Sequence, residues 1–478
     1  MQIRKQNDFD ELVLDSLFAT DGPSGTVDDV LAWVRHRNQE VIVRINRKPF
    51  SELKGWGFDA TSGNLGHESG RFFSIDAIRV FKDDGKCQTW TQPIINQPEI
   101  GILGIVTKVI DGVLCFLLQA KIEPGNVNNV QLSPTLQATR SNYSQVHKGK
   151  KPRYLELFFN AKRSQIVLDQ LQSEQGGRFL RKRNRNIILN LDEEVPSHED
   201  FQWLTLGQIK ALMAYDNVVN MDTRTVISGL PYHSFLSGLS TYDFNGYMRQ
   251  HDVSQRGRDL FASEIAQAGR HSIESILFWL SELKSKYELV VDRIPLRDIQ
   301  DWQIRENEIV HNDRRFFRVI GVEAVIESRE VKSWCQPLLQ PMQEGLCAFI
   351  VKGINGVYHF LIQAKIESGN FDVVEMAPTV QCITGGYKER LDYNVHYLDY
   401  LLSGDFKSVW LDSKQSEEGG RFYREQNRYL VVEASDDFSE DLPQNYIWMT
   451  LGQVKEFLQF NNFLNIQARS LIAALDYQ

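Results

Sequence analysis

The sequence predicts an α+β protein built as a tandem duplication of one mixed-sheet domain with flanking helices. Three observations carry this. Residues 90–137 align without a gap on residues 334–381. Inside each copy, two apolar runs flank a turn-forming pair, Asp111 and Gly112 in the first, Asn355 and Gly356 in the second. Each copy then closes on "TLGQ" followed by apolar residues at helical spacing, from Thr205 and from Thr450.

A repeat of this length is a whole domain, not a solenoid unit. "QAKIE" at 119–123 recurs at 363–367, and "GGRF" at 176–179 recurs at 419–422. Pro134, Thr135 and Gln137 recur as Pro378, Thr379 and Gln381. Upstream, Trp33, Pro49 and Trp56 find Trp279, Pro295 and Trp302. The boundaries read as a first repeat with an N-terminal helical segment over 1–227, a helical connector over 228–267 and a second repeat over 268–478. Each repeat is expected to bury its own core, and the two to pack about a pseudo-twofold axis.

Each copy opens with an amphipathic helix, near 30–39 and 276–286, followed by a short β-branched run, "EVIVRI" or "YELVVDRI". A strand runs through "RFFSIDAIRVF" or "RFFRVIGVEAVI". The hairpin comes next: Asp-Gly and Asn-Gly suit the type I′ turn, whose two central residues both need positive φ. Later strands carry "RNIILNL" and "RYLVVEA". Thr205 and Thr450 are expected N-caps of the closing helices.

The chain has 478 residues, 42% hydrophobic and 24% charged, an ordinary globular composition. A net charge of −9 without a basic stripe argues against a general nucleic-acid binder. No apolar run approaches the ~18 residues needed to cross a bilayer. The N-terminal segment lacks a signal peptide's basic-then-apolar pattern, so a cytoplasmic location is expected. Cys87, Cys115, Cys335, Cys347 and Cys382 are odd in number and lack CxxC spacing, which fits reduced thiols. There is no dinucleotide fingerprint, phosphate-binding GK[ST] loop, HExxH, GxSxG elbow or His/Cys cluster at ligand spacing. These absences leave a reaction without cofactor or metal, or a binding function.

Three constellations remain. Period 2 puts Gln119, Lys121 and Glu123 on one face of a strand end, as it does Gln363, Lys365 and Glu367. This reads either as a solvent-facing Lys–Glu pair or as a cleft floor. The second set is Thr135, Gln137, Arg140, Asn142, Tyr143 and His147, in the most basic stretch of an acidic protein. Either a solvated loop or a diphosphate-binding loop would look like this. Copy two keeps Thr379, Gln381 and Tyr387 but has diverged more here than in its strands, and Glu375 stands where copy one has Gln131. The third is the glycine pair before Arg178, and before Arg421 in copy two. The glycines permit close backbone approach to a ligand and the arginine suits phosphate, or the motif is a turn with a paired Arg. Trp90 with Gln92, and Trp334 with Gln336, complete the set as stacking or core residues.

At these residues the chain resembles the NDP-hexose 2,3-dehydratases of deoxysugar biosynthesis. The strings are "WTQPIINQ", "QAKIEPGN", "QLSPTLQATRSNYSQVH", "SEQGGRF" and "TLGQ", with "WCQPLLQ", "QAKIESGN", "APTVQ" and "SEEGGRF" in copy two. The resemblance implies a duplicated Nudix-like fold without the REUXEE metal signature, which is also absent after "PGN" here. It implies a homodimer, no cofactor, a dTDP-4-keto-6-deoxyglucose substrate and a downstream 3-ketoreductase. On that reading, the C4 ketone acidifies the C3 hydrogen, a base removes it, and an acid helps the C2 hydroxyl leave. Glu123 or Tyr143 would serve as base or acid, with His147 a further candidate. Lys121, Arg140 and Arg178 would bind phosphate or enolate, and Trp90 and Gln92 thymine or sugar. The copy-two set of Trp334, Gln363, Lys365, Glu367, Glu375, Thr379, Gln381, Tyr387 and Arg421 would line an equivalent pocket. Copy one is preferred as the working site for its cations and hydroxyls. A Nudix-type pyrophosphate hydrolase and a non-catalytic nucleotide-sugar binding protein are the competing readings.

Overall fold

The computed structural model describes residues 2–140, 151–230, 233–266, 269–329, 331–382 and 395–478. Each repeat contributes a seven-stranded mixed sheet. In the first, Gly101–Ile110 and Val113–Ile122 form the central hairpin. Ile110 faces Val113 across a two-residue turn in which Asp111 and Gly112 have φ of 50° and 86°. Asn355 and Gly356, at 53° and 81°, do the same in the second. Both are the positive-φ turns expected of these pairs. Arg183–Asn190 joins Gly101–Ile110 in parallel, and Gln426–Ala434 joins Gly345–Ile354 in the same way.

The two five-stranded sheets are built by exchange. Val43–Lys48 of the first repeat pairs antiparallel with Phe317–Ile326 of the second. Reciprocally, Glu288–Ile294 pairs with Ser74–Asp83. Burial alternates along the first four residues of each exchanged strand, so one face packs. Ile45 packs on Ile320, Val322 and Leu338, while Leu289 and Val291 pack on Ile78, Val80 and Ile94. The expectation of a separate core in each repeat is therefore corrected. The largest apolar cluster runs through both, including Phe116, Leu132 and Ile209 together with Phe360, Met376 and Val454. An alternating run specifies a face to bury and not the chain segment that covers it.

The "TLGQ" helices Leu206–Leu212 and Leu451–Leu458 start at capping boxes made by Thr205 with Gln208 and Thr450 with Gln453. A further helix follows each, Met221–Ser228 and Ile466–Ala473. Their arginines, Arg224 and Arg469, are fully buried and cross to the other repeat. Arg224 donates to the Ser416 carbonyl at 2.7 Å and to Gln415 Oε1 at 2.8 Å. Three helices, His233–Ser237, Thr241–Gln250 and Gln255–Ile265, link the repeats. All five cysteines are free thiols, and no helix among the described residues is long and apolar enough to cross a membrane.

Candidate active site

The strand Val113–Ile122 delivers Lys121 to a turn of Glu123, Pro124, Gly125 and Asn126. That turn packs on the glycine loop of the other repeat. The Gly125 amide donates to the Gly419 carbonyl at 2.8 Å, and the Arg424 amide to the Gly125 carbonyl at 2.7 Å. A Cβ on Gly125 would lie 1.7 Å from the Phe422 carbonyl oxygen, so only glycine fits. The contact is reciprocal: the Gly369 amide donates to the Gly176 carbonyl at 2.6 Å.

The consequence is a cavity of about 440 Å³ with walls from both repeats. The first supplies Lys121, Glu123, Gln137, Glu174, Lys182 and Asp222, and the second Trp334, Gln336, Glu418 and Arg421. Lys121 and Glu123 are each 7% exposed and form an ion pair at 3.7 Å. Gln137 fixes both: its amide donates to Glu123 Oε1 at 3.1 Å, and its carbonyl accepts from Lys121 Nζ at 3.4 Å. Arg421 stacks on Phe73, 4.1 Å from the ring centre, and donates to Gln97 Oε1 at 3.0 and 3.1 Å.

Charges here are poorly solvated, and acid–base behaviour shifts accordingly. Burial, then the neighbouring Glu123, pushes Glu418 up to about 7 against the pull of Arg421 and Lys121, with Glu174 adding to the rise. Burial and then Glu418, Glu174 and Glu123 raise Asp222 well above the carboxylate range. Burial also raises Glu174, which accepts from Asn184 at 2.7 Å. Burial lowers Lys182 to about 8. The cavity thus mixes carboxyls whose burial favours the protonated form with the basic side chains of Lys121, Lys182, Arg329 and Arg421. Among the described residues, donor atoms of three metal-ligating side chains converge only at His198, Glu199 and Asp200. There Arg37 already bonds Asp200 and lies 3.7 Å from Glu199.

Several residues singled out from sequence fall elsewhere. Trp90 and Gln92 do not line this cavity. Trp90 donates to Gln92 at 2.8 Å, and Gln92 to the Gly177 carbonyl at 3.1 Å, which holds both against the first repeat's own glycine loop. Their twins Trp334 and Gln336 line the Lys121 cavity instead. Arg178 likewise faces away, stacked on Phe317 at 4.3 Å and 3.8 Å from Glu425. Thr135 is a strand staple, its hydroxyl accepting from the Val106 amide at 2.9 Å and donating to the Leu117 carbonyl. Thr379 repeats this with Ile350 and Leu361. Gln119 pairs with Ser133 and Phe201 before the strand reaches the cavity. Gln363 does the same with Ala377 and Tyr446. Arg140 is exposed and outside the lining. Asn142, Tyr143, His147 and Tyr387 lie outside the described residues.

Lys365, Glu367 and Gln381 reproduce the first cluster: Lys365 donates to the Gln381 carbonyl at 3.3 Å, and Gln381 to Glu367 at 3.1 Å. Glu375 is 1% exposed and accepts from Ser173 at 2.8 Å, a bond between repeats away from the Lys121 cavity. Glu418, Asp222 and Lys182 were missed as site residues. The signal was present, since their twin positions hold Gln175, Gln467 and Glu425.

The family model for NDP-hexose 2,3-dehydratase matches residues 27–230 and 273–475, and the chain belongs to that family. A dTDP-4-dehydro-6-deoxy-alpha-D-glucopyranose 2,3-dehydratase from Saccharopolyspora spinosa is 45% identical, covering 93% of this chain and 90% of the relative. Proteins of the same name from Amycolatopsis orientalis and Streptomyces violaceoruber are 39% and 41% identical. Those matches cover 99% and 93% of this chain, and 95% and 96% of the relatives.

Proposed function

We propose that the shared cavity removes the C2 hydroxyl of dTDP-4-keto-6-deoxyglucose, giving a 3,4-diketo-2,6-dideoxy sugar. The carrying observation is that carboxyls from both repeats, Glu123 and Glu418, line one cavity with Lys121 and Arg421. Its volume is that of a small-molecule site. The substrate named for the three relatives supports the choice of sugar.

Glu123, held by Gln137 and Lys121, takes the C3 proton. The electron pair moves to the C4 oxygen, where Lys121 supplies the compensating charge. The C2–O bond then breaks with its electrons leaving on oxygen, and the Glu418 carboxyl protonates the departing hydroxyl to water. The resulting enol returns its hydroxyl proton to Glu418, and C2 takes the proton held by Glu123. Oxidation at C3 balances reduction at C2, so the sugar itself closes the electron count. Arg421 and Lys182 meet the diphosphate, and Trp334 the thymine. A homodimer, a cytoplasmic location and a 3-ketoreductase acting on the product belong to the same proposal, on the family resemblance.

Incubation with dTDP-4-keto-6-deoxyglucose, followed by mass spectrometry of the sugar nucleotide, tests this. Loss of one water without added cofactor is expected. Binding of dTDP with the keto sugar unchanged would overturn the reading in favour of a non-catalytic binder. Release of nucleoside monophosphate would favour the hydrolase.

A further inference from the structure

Asp222 lies in the first turn of Met221–Ser228, a helix capped by the Asn220 side chain, which accepts from the Thr223 amide. It lines the cavity, is 2% exposed, and its Oδ2 is buried with no hydrogen-bond partner among the described residues. An isolated buried carboxylate oxygen is costly unless the group carries a proton or serves a reaction. The cavity it lines also holds Glu418, Glu174, Glu123 and Lys121, and Arg224 lies on its own helix. Arg224 is engaged by Gln415, Ser416, Val219 and Ser470.

The comparison within the chain sharpens the point. The cavity carboxyls Glu123 and Glu174 have twins Glu367 and Glu417, whereas Asp222 and Glu418 have the amides Gln467 and Gln175. Two acids change together, and both line one cavity. An amide can hydrogen bond like a protonated carboxyl, but it cannot pass its proton on.

We propose that Asp222 is a positioning residue that holds the proton with which Glu418 is reloaded during departure of the C2 hydroxyl. When Glu418 gives its proton to the leaving oxygen, the Asp222 proton moves to Glu418. The enol hydroxyl then gives its proton to Glu418 as Glu418 passes one back to Asp222, which restores the pair. No electron is exchanged, and the proton count closes over one turnover. This rests on the dehydratase reading above and adds to it a residue from another element.

The test separates the two halves of the reaction. In heavy water, abstraction at C3 is read as deuterium entering C3 of unreacted substrate, and elimination is read as loss of water. Wild-type protein is assayed first; if it does not dehydrate the sugar, the dehydratase reading has failed before any variant is judged. For Asp222→Asn the expected result is a roughly 100-fold lower kcat for water loss, with unchanged KM and undiminished exchange at C3. Asp222→Glu should recover part of the rate. Loss of exchange together with elimination, or a wild-type kcat, overturns the proposal. Asp222→Gln, the residue of the twin position, provides a second variant, with folding checked by dTDP binding. If neither amide variant folds, Asp222 is structural and the proposal is overturned.

Discussion

Gly125 of the first repeat and Gly419 of the second are hydrogen bonded backbone to backbone at 2.8 Å, and this contact brings two distant loops to one cavity. Added bulk at Gly125 meets carbonyl oxygens, which cannot rotate away as a flexible side chain can. Gly125→Ala should destabilise the protein by about 3 kcal/mol and lower activity by moving the loop that carries Glu418. Gly57→Ala is the control: nothing lies within 4 Å of its added Cβ, and a change within about 0.5 kcal/mol is expected. Denaturant unfolding of both variants reads the difference.

Glu418 should set the alkaline limit of turnover. An acid must be protonated to act, and burial beside Glu123 holds this carboxyl up to about 7. Activity is therefore present below that pH and falls as pH rises through it, approaching about tenfold per unit well above. A pH profile of kcat checks this; a rate that keeps rising from pH 7 to pH 9 would remove Glu418 from the acid role.

The two glycine-loop arginines should differ in kind. Arg421 lines the cavity and, among the described residues, its guanidinium bonds only the neutral Gln97 side chain and its own loop, whereas Arg178 is beside the Glu425 carboxyl. Arg421→Ala should raise KM about 10- to 100-fold, the value of one or two charge-assisted bonds to phosphate. Arg178→Ala, on protein that remains folded, should leave KM within about threefold. Initial-rate kinetics over a substrate series distinguishes them.

The paired lysines make a similar contrast. Lys121→Ala should lower kcat about 100-fold through loss of enolate stabilisation, while Lys365→Ala should change it little. Turnover of the two variants decides which repeat floors the working cavity; loss confined to Lys365→Ala would move the chemistry to the other cluster.

Much of this fold is local and was legible. The Asp111 and Asn355 turns follow from backbone sterics of adjacent residues, and the Thr205 and Thr450 caps from a side chain three residues before its partner amide. The strand exchange was not legible, because Val43 and Ile45 show only that one face is apolar. Their partner, across Phe317–Ile326, is set by tertiary geometry. The site followed the same division. The cluster of Lys121, Glu123 and Gln137 follows from one strand and the return after it. Trp90 and Arg178 stand outside the lining of this cavity, which their strings do not show, because Gly177 and Glu425 are brought to them by packing of distant segments. Glu418 and Asp222 were visible as differences from Gln175 and Gln467, but only their shared cavity gives those differences chemical meaning.

The most direct measurement is the rate of water loss from dTDP-4-keto-6-deoxyglucose by Glu418→Gln, which gives this loop the residue of its twin, beside Glu367→Gln. A cavity shared between repeats requires the first to lose about 100-fold or more in kcat while still binding dTDP, and the second to keep most of its activity. Wild-type turnover by Glu418→Gln, with activity abolished in Glu367→Gln, would contradict it.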